Sequence, residues 1–293
     1  MLRILGIGDN MCDFNLTTGI MYPGGQCVNV PVNARLLGQE AAYMGCFGND
    51  FVAEHLKRTL DDIGVDYSHA RTYPVPNVRG FYHVIDDDRV FCYPPVPQHP
   101  MSSVLFNMLE YEGFTDEDWA YIQSFDLIHC SNDSRLERIY PVFREKEIRM
   151  SFDFSIFHDQ PGYMEQICPY AWLVLLSCGT YTEEETRELL RKAYTLGSQL
   201  CIGTRGSRGS ICFDGTNYYD QKPHWLDEVT DTMGAGDAFI AAFLVDYLQS
   251  GGFGMDRQSE RIRHALETAA EYAARSCLVN GSFGHGVVFP ALI

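Results

Sequence analysis

The chain has 293 residues, 46% hydrophobic and 21% charged, a balance that suits one large globular domain and excludes any need for a disulfide or metal staple. A net charge of −17 argues against nucleic acid and anionic membrane surfaces as partners, and no apolar run reaches the roughly 18 residues of a membrane span. Ten cysteines without a Cys-x-x-Cys pair or zinc-ligand spacing read as reduced, mostly buried thiols of a cytoplasmic protein.

Residues 2–8 are apolar but too short for a signal peptide and read as a buried strand. Gly24-Gly25 precedes a predicted helix over 26–37, followed by a strand over 41–46. Residues 50–63 place Phe51, His55, Leu56 and Leu60 at helical spacing. Residues 78–85 and 89–93 are β-rich, and Asp86-Asp87-Asp88 between them suits a hairpin turn. With residues 14–21 they predict a small projecting sheet. Residues 93–100 are proline-rich and predict a loop.

Apolar runs at 125–130, 148–154, 172–176 and 200–203 predict further strands. Helices are predicted between them over 134–146 and 182–196, the latter opened by Thr182 and Glu185 in capping-box spacing. Two more helices are predicted over 234–249 and 256–278. Strand and helix in regular alternation imply an α/β fold, a mainly parallel sheet covered by helices. We expect a single domain over 1–293 with projecting segments at about 12–22 and 76–94.

The most informative stretch is Asp231-Thr232-Met233-Gly234-Ala235-Gly236-Asp237-Ala238-Phe239. Gly234 and Gly236 permit a tight turn and close backbone approach. The apolar helix that follows offers free N–H groups and a positive dipole end in its first turn, an anion site. Asp237 stands in that same turn. A carboxylate beside an anion site is poor for holding phosphate alone, because the charges repel. It makes sense as a base that takes the proton from a hydroxyl attacking the phosphate. Further back, Thr204-Arg205-Gly206-Ser207-Arg208-Gly209 lies between two strands, where its hydroxyl, backbone and arginines suit phosphate.

All seven specified positions of Asp-Thr-x-Gly-Ala-Gly-Asp-x-Phe are present. The stretch resembles the C-terminal signature of the ribokinase (PfkB) carbohydrate kinases. Gly24-Gly25 with Asn29 resembles the family's N-terminal Gly-Gly-x-x-x-Asn, and Gly45-Cys46-Phe47-Gly48-Asn49-Asp50 its Gly-x-x-Gly-x-Asp element. Within the family, Ile7-Gly8-Asp9-Asn10, Asp87-Asp88-Arg89-Val90-Phe91 and Phe152-Asp153-Phe154-Ser155 resemble the fructoselysine 6-kinase branch.

The resemblance implies a three-layer ribokinase-like domain with a β lid. A small isolated sheet buries little and has exposed edges, so we expect its apolar face to be covered by a second lid in a homodimer. It implies ATP-dependent phosphorylation of a sugar or ketosamine hydroxyl, fructoselysine to its 6-phosphate first among the substrates. Fructose, ribose, 2-keto-3-deoxygluconate and nucleosides stand as alternatives, as does a non-catalytic sensor. Asp237 would be the base, and Gly234, Ala235 and Gly236 the anion hole. Asp9 or Asp13, of which Asp13 is favoured, with Gly24, Gly25, Asn29 and Arg89, would hold the sugar. Thr204, Gly206, Gly209 and Asn280 would hold ATP. Magnesium would accompany the nucleotide, and a monovalent cation would lie near Asp231. One departure bears on magnesium: where many relatives have Asn and then Glu, this chain reads Ser177-Cys178-Gly179-Thr180, with Glu183, Glu184 and Glu185 beyond.

P-loop, serine-hydrolase and zinc-protease signatures are missing, and Gly6-Ile7-Gly8 lacks the third glycine of a dinucleotide fingerprint.

Overall fold

The computed structural model describes residues 1–85, 88–92, 105–251, 253–254 and 258–290. The predicted turn at Asp86-Asp87, the loop over 93–100 and the start of the last predicted helix, 256–257, lie outside them. In chain order the strands are β1 (Arg3–Gly8), β2 (Met11–Asn15), β3 (Ile20–Gly24), β4 (Glu40–Phe47), β5 (Arg71–Thr72), β6 (Arg79–Ile85), β7 (Asp88–Phe91), β8 (Leu127–Ser131), β9 (Met150–Asp153), β10 (Leu173–Ser177), β11 (Leu200–Thr204), β12 (Ser210–Phe213), β13 (Tyr218–Gln221) and β14 (Val287–Val288). The helices are α1 (Gln26–Leu36), α2 (Phe51–Ile63), α3 (Leu105–Glu112), α4 (Asp116–Gln123), α5 (Tyr140–Glu145), α6 (Tyr163–Ile167), α7 (Glu183–Leu196), α8 (Ala235–Gln249) and α9 (Gln258–Ser276).

The main sheet has the order β13-β12-β11-β10-β9-β8-β1-β4-β5. Every pair from β11 to β5 is parallel, and β12 and β13 close one edge antiparallel. Side chains alternate across it. Leu5 and Ile7 of β1 enter one core with α3–α7, whereas Ile4 enters the core on the opposite face with α1 and α2. That two-sided burial explains why these strands read as continuous apolar runs. The result is the mainly parallel sheet covered by helices expected from the alternation, in the three layers that the resemblance implied.

Local signals explain most helix boundaries. Asp50 caps α2 by accepting from Val52 N and Ala53 N, and Gly64, left-handed at φ 82°, ends it. The Thr182–Glu185 capping box is present at α7. Helix α8 is apolar all round because α1, α9 and the sheet enclose it.

The predicted helix over 134–146 is corrected to Tyr140–Glu145. Ser134 Oγ donates to Ile7 O and accepts from Ser131 N, locking a buried turn, and Arg135 is left-handed at φ 50°. No helix continues through such a residue.

The second sheet has the order β14-β3-β2-β6-β7, with β2 and β6 parallel and the other pairs antiparallel. Its first hairpin is longer than expected. β3 runs to Gly24, so the diglycine joins this sheet directly to α1. β14, the β12–β13 hairpin and helices α3 and α4 were not legible in the sequence.

Candidate active site

The glycine-rich turn delivers Asp237 to the start of α8. Gly234 is the N-cap, left-handed at φ 70°, and a Cβ there would stand 2.5 Å from Ser282 Cβ. Only glycine fits without rearrangement. Gly236 is different: among the described residues a Cβ there meets nothing within 4 Å, so the position is open rather than tight. No side chain caps the helix. The N–H of Ala235 donates weakly to Thr232 O at 3.3 Å, while among the described residues those of Gly236 and Asp237 have no acceptor. Two orphan donors thus stand at a positive helix end, the place where the sequence led us to expect an anion site.

Asp237 is buried, and Asn29 Nδ2 donates to its Oδ2 at 2.8 Å. The same amide nitrogen reaches Ser282 Oγ at 3.1 Å. Burial, then the negative field of Asp153, push the Asp237 carboxyl well above the usual carboxylate range; Asp9 and Asp13 add to this, and the Asn29 hydrogen bond opposes it. A carboxyl so placed is a strong proton acceptor once ionised. The Oδ1 of Asn29 is buried with no partner. Such an orphan acceptor calls for a donor from a ligand.

Asp9 and Asp13 prove to be different groups. Asp9 Oδ1 accepts from Cys27 N at 3.2 Å and from Ser131 Oγ at 2.9 Å, so Asp9 ties α1 and β8 to β1. Asp13 is buried on β2 and, among the described residues, its carboxylate accepts no hydrogen bond. A Cβ on Gly24 would lie 3.1 Å from its Oδ2, and one on Gly80 2.5 Å from its Oδ1. Burial raises Asp13 to about 6 against the pull of Arg89, with Asp231 and Asp9 raising it further. Gly25, left-handed at φ 107°, passes so close to Asp9 that a Cβ would lie 2.8 Å from Oδ2.

Arg89, on β7, reaches across to the motif. Its Nη2 donates to Thr232 Oγ1 at 2.8 Å and its Nη1 pairs with Asp231 Oδ1 at 3.4 Å. Asp231 also accepts from Met233 N at 3.0 Å and Gly281 N at 2.9 Å. Both of its oxygens are therefore engaged, and a guanidinium neutralises them. As they stand, these residues fit a guanidinium rather than a second cation.

A cavity of about 450 Å³ opens beside Gly236. Thr204, Gly206 and Gly209 line one wall. Gly209 is left-handed, and a Cβ there would meet Gln221 O at 2.0 Å. The opposite wall is Ala270, Ala273, Ala274 and Cys277 of α9 and the turn after it, small residues that leave room for a flat ring. Trp225, 73% exposed, stands at the mouth. Asn280 is exposed and is not among the lining residues.

Among the described residues no group of three or more His, Cys, Asp or Glu side chains converges as a metal site. In the acidic run after β10, Glu185 accepts from Thr182 and Glu183 pairs with Arg187. Among the described residues, then, Glu183 and Glu185 are engaged with their own neighbours and no magnesium cage is formed.

Sequence reasoning missed Ser282, Asp153 and Ser131. Asp153 lay within a quoted stretch, but nothing in four residues indicated that its charge would face Asp237. Ser282 lies 45 residues beyond Asp237 in an unremarkable glycine-containing turn, and only folding brings it under Gly234.

The pfkB family carbohydrate kinase model matches residues 13–283. The chain is similar to fructosamine kinase FrlD of Bacillus subtilis (strain 168), 32% identical over 286 residues covering 97% of this chain and 94% of that protein. It is also similar to fructoselysine 6-kinase of Escherichia coli (strain K12), 30% identical over 245 residues, 83% of this chain and 88% of that protein. A fructokinase variant from Vibrio cholerae O395, solved with fructose, ADP and potassium ion, shares the fold at a TM-score of 0.73 and 21% identity, covering 97% of this chain and 94% of that one.

Proposed function

Since this chain belongs to the pfkB family of carbohydrate kinases, and is an ATP-dependent sugar kinase, we propose that its substrate is a ketosamine, fructoselysine, phosphorylated on the 6-hydroxyl. The observation that carries the catalytic reading is a buried carboxylate, Asp237, in the uncapped first turn of α8, with the 450 Å³ cavity beside it and Asn29 against it.

Asp237 accepts the hydroxyl proton as the oxygen attacks the γ-phosphorus. The new O–P bond forms as the bond from phosphorus to the bridging oxygen breaks, and ADP leaves. The N–H groups of Gly236 and Asp237, with Ala235 adjoining, stabilise the charge on the transferred group. Gly234 sets the helix start. Magnesium bound to the nucleotide phosphates would supply charge neutralisation there. Thr204, Gly206 and Gly209 cradle those phosphates, while α9 and Trp225 flank the base.

On the other side Asp13 and Asn29 take sugar hydroxyls. Gly24, Gly25 and Gly80 let the ring approach them. Asp9 is a positioning residue, and Arg89 brings the small sheet down as a lid. The substrate assignment rests on two relatives at 30% identity or above whose names specify fructosamines.

The test is ADP release across fructoselysine, fructose, ribose and 2-keto-3-deoxygluconate under identical conditions. The highest kcat/KM for fructoselysine is expected. A plain sugar that equals it removes the ketosamine assignment and leaves the kinase standing. ATP turnover that no sugar stimulates points instead to a sensor.

A further inference from the structure

A second cavity, of about 370 Å³, lies beyond β8 and outside the machinery described above. Its walls include Asn132, Asp133, Arg135, Glu110, Glu137 and Tyr163. It adjoins the sugar site through a short chain of contacts. Asp133 N donates to Ser131 Oγ at 3.2 Å, and Ser131 Oγ donates to Asp9 Oδ1 at 2.9 Å.

The wall carries both signs of charge. Asp133, raised to about 6 by burial and by Asp9, is the wall residue whose backbone contacts lead to the sugar side. Glu137 is raised by burial and the neighbouring Glu110 and lowered by Arg135, so these three groups share one field. Arg135 stacks over Phe106 at 5.2 Å and, among the described residues, has no carboxylate within 4 Å. Its backbone is held left-handed at φ 50°, an uncommon conformation for arginine that fixes where the side chain leaves the chain. Asn132 Oδ1 is buried with no partner.

We propose that this cavity binds the amino-acid end of the substrate, with Arg135 on the carboxylate and Glu137 and Glu110 on the α-ammonium. This rests on the ketosamine reading above. Asp133, on the sugar side, faces the secondary amine that joins sugar to amino acid. The order selects the linkage. In an ε-linked fructosyl-lysine a four-carbon spacer carries the zwitterion out to Arg135 and Glu137. In an α-linked fructosamine the carboxylate sits beside the linking amine, against the negative charges of Asp133 and Asp9, where like charges repel.

The experiment measures kcat/KM for Nε-fructosyl-lysine, its Nα-acetyl derivative, Nα-fructosyl-glycine and fructose with the wild type, Arg135→Gln and Glu137→Gln. The wild type should prefer Nε-fructosyl-lysine to Nα-fructosyl-glycine about tenfold or more. Arg135→Gln should lower the ratio of Nε-fructosyl-lysine to fructose about tenfold, as losing one charge-assisted contact does. Acetylation should weaken the wild type and change Glu137→Gln little further. If both variants keep the wild-type ratios, or the α-linked compound is preferred, the cavity assignment is overturned while the kinase reading stands. If fructose matches the lysine adduct in the wild type, the ketosamine reading falls and the cavity assignment falls with it.

Discussion

Asn29 Nδ2 sits 2.8 Å from Asp237 Oδ2 and 3.1 Å from Ser282 Oγ. One amide thus fixes one oxygen of the buried carboxyl. Among the described residues the other oxygen, Oδ1, accepts no hydrogen bond. Asp237→Asn keeps the shape and removes the proton acceptor. It should lower kcat about 10²-fold or more while nucleotide affinity, read by titration calorimetry, largely survives. Near-normal kcat would remove Asp237 from the base role.

The pH profile provides a second check. A base must be ionised, so kcat/KM should fall as pH drops through an apparent pKa lying above the usual carboxylate range, because Asp237 is raised. Asp153 raises it, so Asp153→Asn should move the acid limb to lower pH. Asn29 lowers it, so Asn29→Ala should move the limb to higher pH. Opposite shifts are the expected pair; parallel shifts would show that the limb belongs to another group.

The two glycines of the motif should fail differently. Gly234→Ala puts a Cβ 2.5 Å from Ser282 Cβ at a left-handed φ. It should destabilise the fold by about 1–3 kcal/mol, measured by denaturant titration. Gly236→Ala meets nothing within 4 Å among the described residues, so stability should hold. Its methyl instead enters the cavity, and KM for ATP should rise about tenfold or more. Equal loss of stability in both variants would defeat this distinction.

How much of this was legible in the sequence differs from residue to residue. The parallel sheet announced itself because two-sided burial makes strands such as β10 apolar in all but the last residue. The Asp237 turn was legible because two glycines, a carboxylate and an apolar helix occur within a few residues. Ser134 and Arg135 misled, since helical composition there gave way to a turn set by Ile7 O, over a hundred residues away in sequence. Asp13 was favoured over Asp9 from the sequence, but the reason was not legible there, because the difference lies in partners supplied by α1 and β8. The two-residue strand β14 carries too little sequence to signal anything, and it forms only because β3 has an open edge.

Asp13 predicts a conflict between stability and function. Its carboxyl is raised from 3.8 to about 6 in the fold, so the folded state holds its proton to higher pH than the unfolded chain does. The resulting penalty is absent below the unfolded value, grows as pH rises, and is complete above about 6. At neutral pH Asp13→Asn should therefore stabilise the protein by up to about 3 kcal/mol, raising Tm by a few degrees, while sugar affinity drops. Thermal melts at pH 5 and pH 7.5 should differ less in the variant. A variant that is less stable than the wild type at neutral pH would refute the argument.

The small sheet exposes Ile85, Val90 and Phe91, and Val288 at its opposite edge. Apolar side chains on a small open sheet favour pairing with another surface. We expect a homodimer through these lids, giving twice the chain mass in light scattering at micromolar protein, and Phe91→Glu should return it to a monomer. A monomeric wild type would exclude this arrangement.

Arg89 ties the small sheet to the motif through Thr232 and Asp231. A latch made of charge is sensitive to ions. Salt at about 1 M shortens the screening length to about 3 Å, so the grip of β7 on the segment before Gly234 should loosen as salt rises, while the apolar core holds. Sugar association and product release should then both quicken, and hydrogen exchange in β6 and β7 should accelerate before the main sheet responds. Ionic strength thereby becomes a control on turnover that acts at a distance from the transferred phosphate.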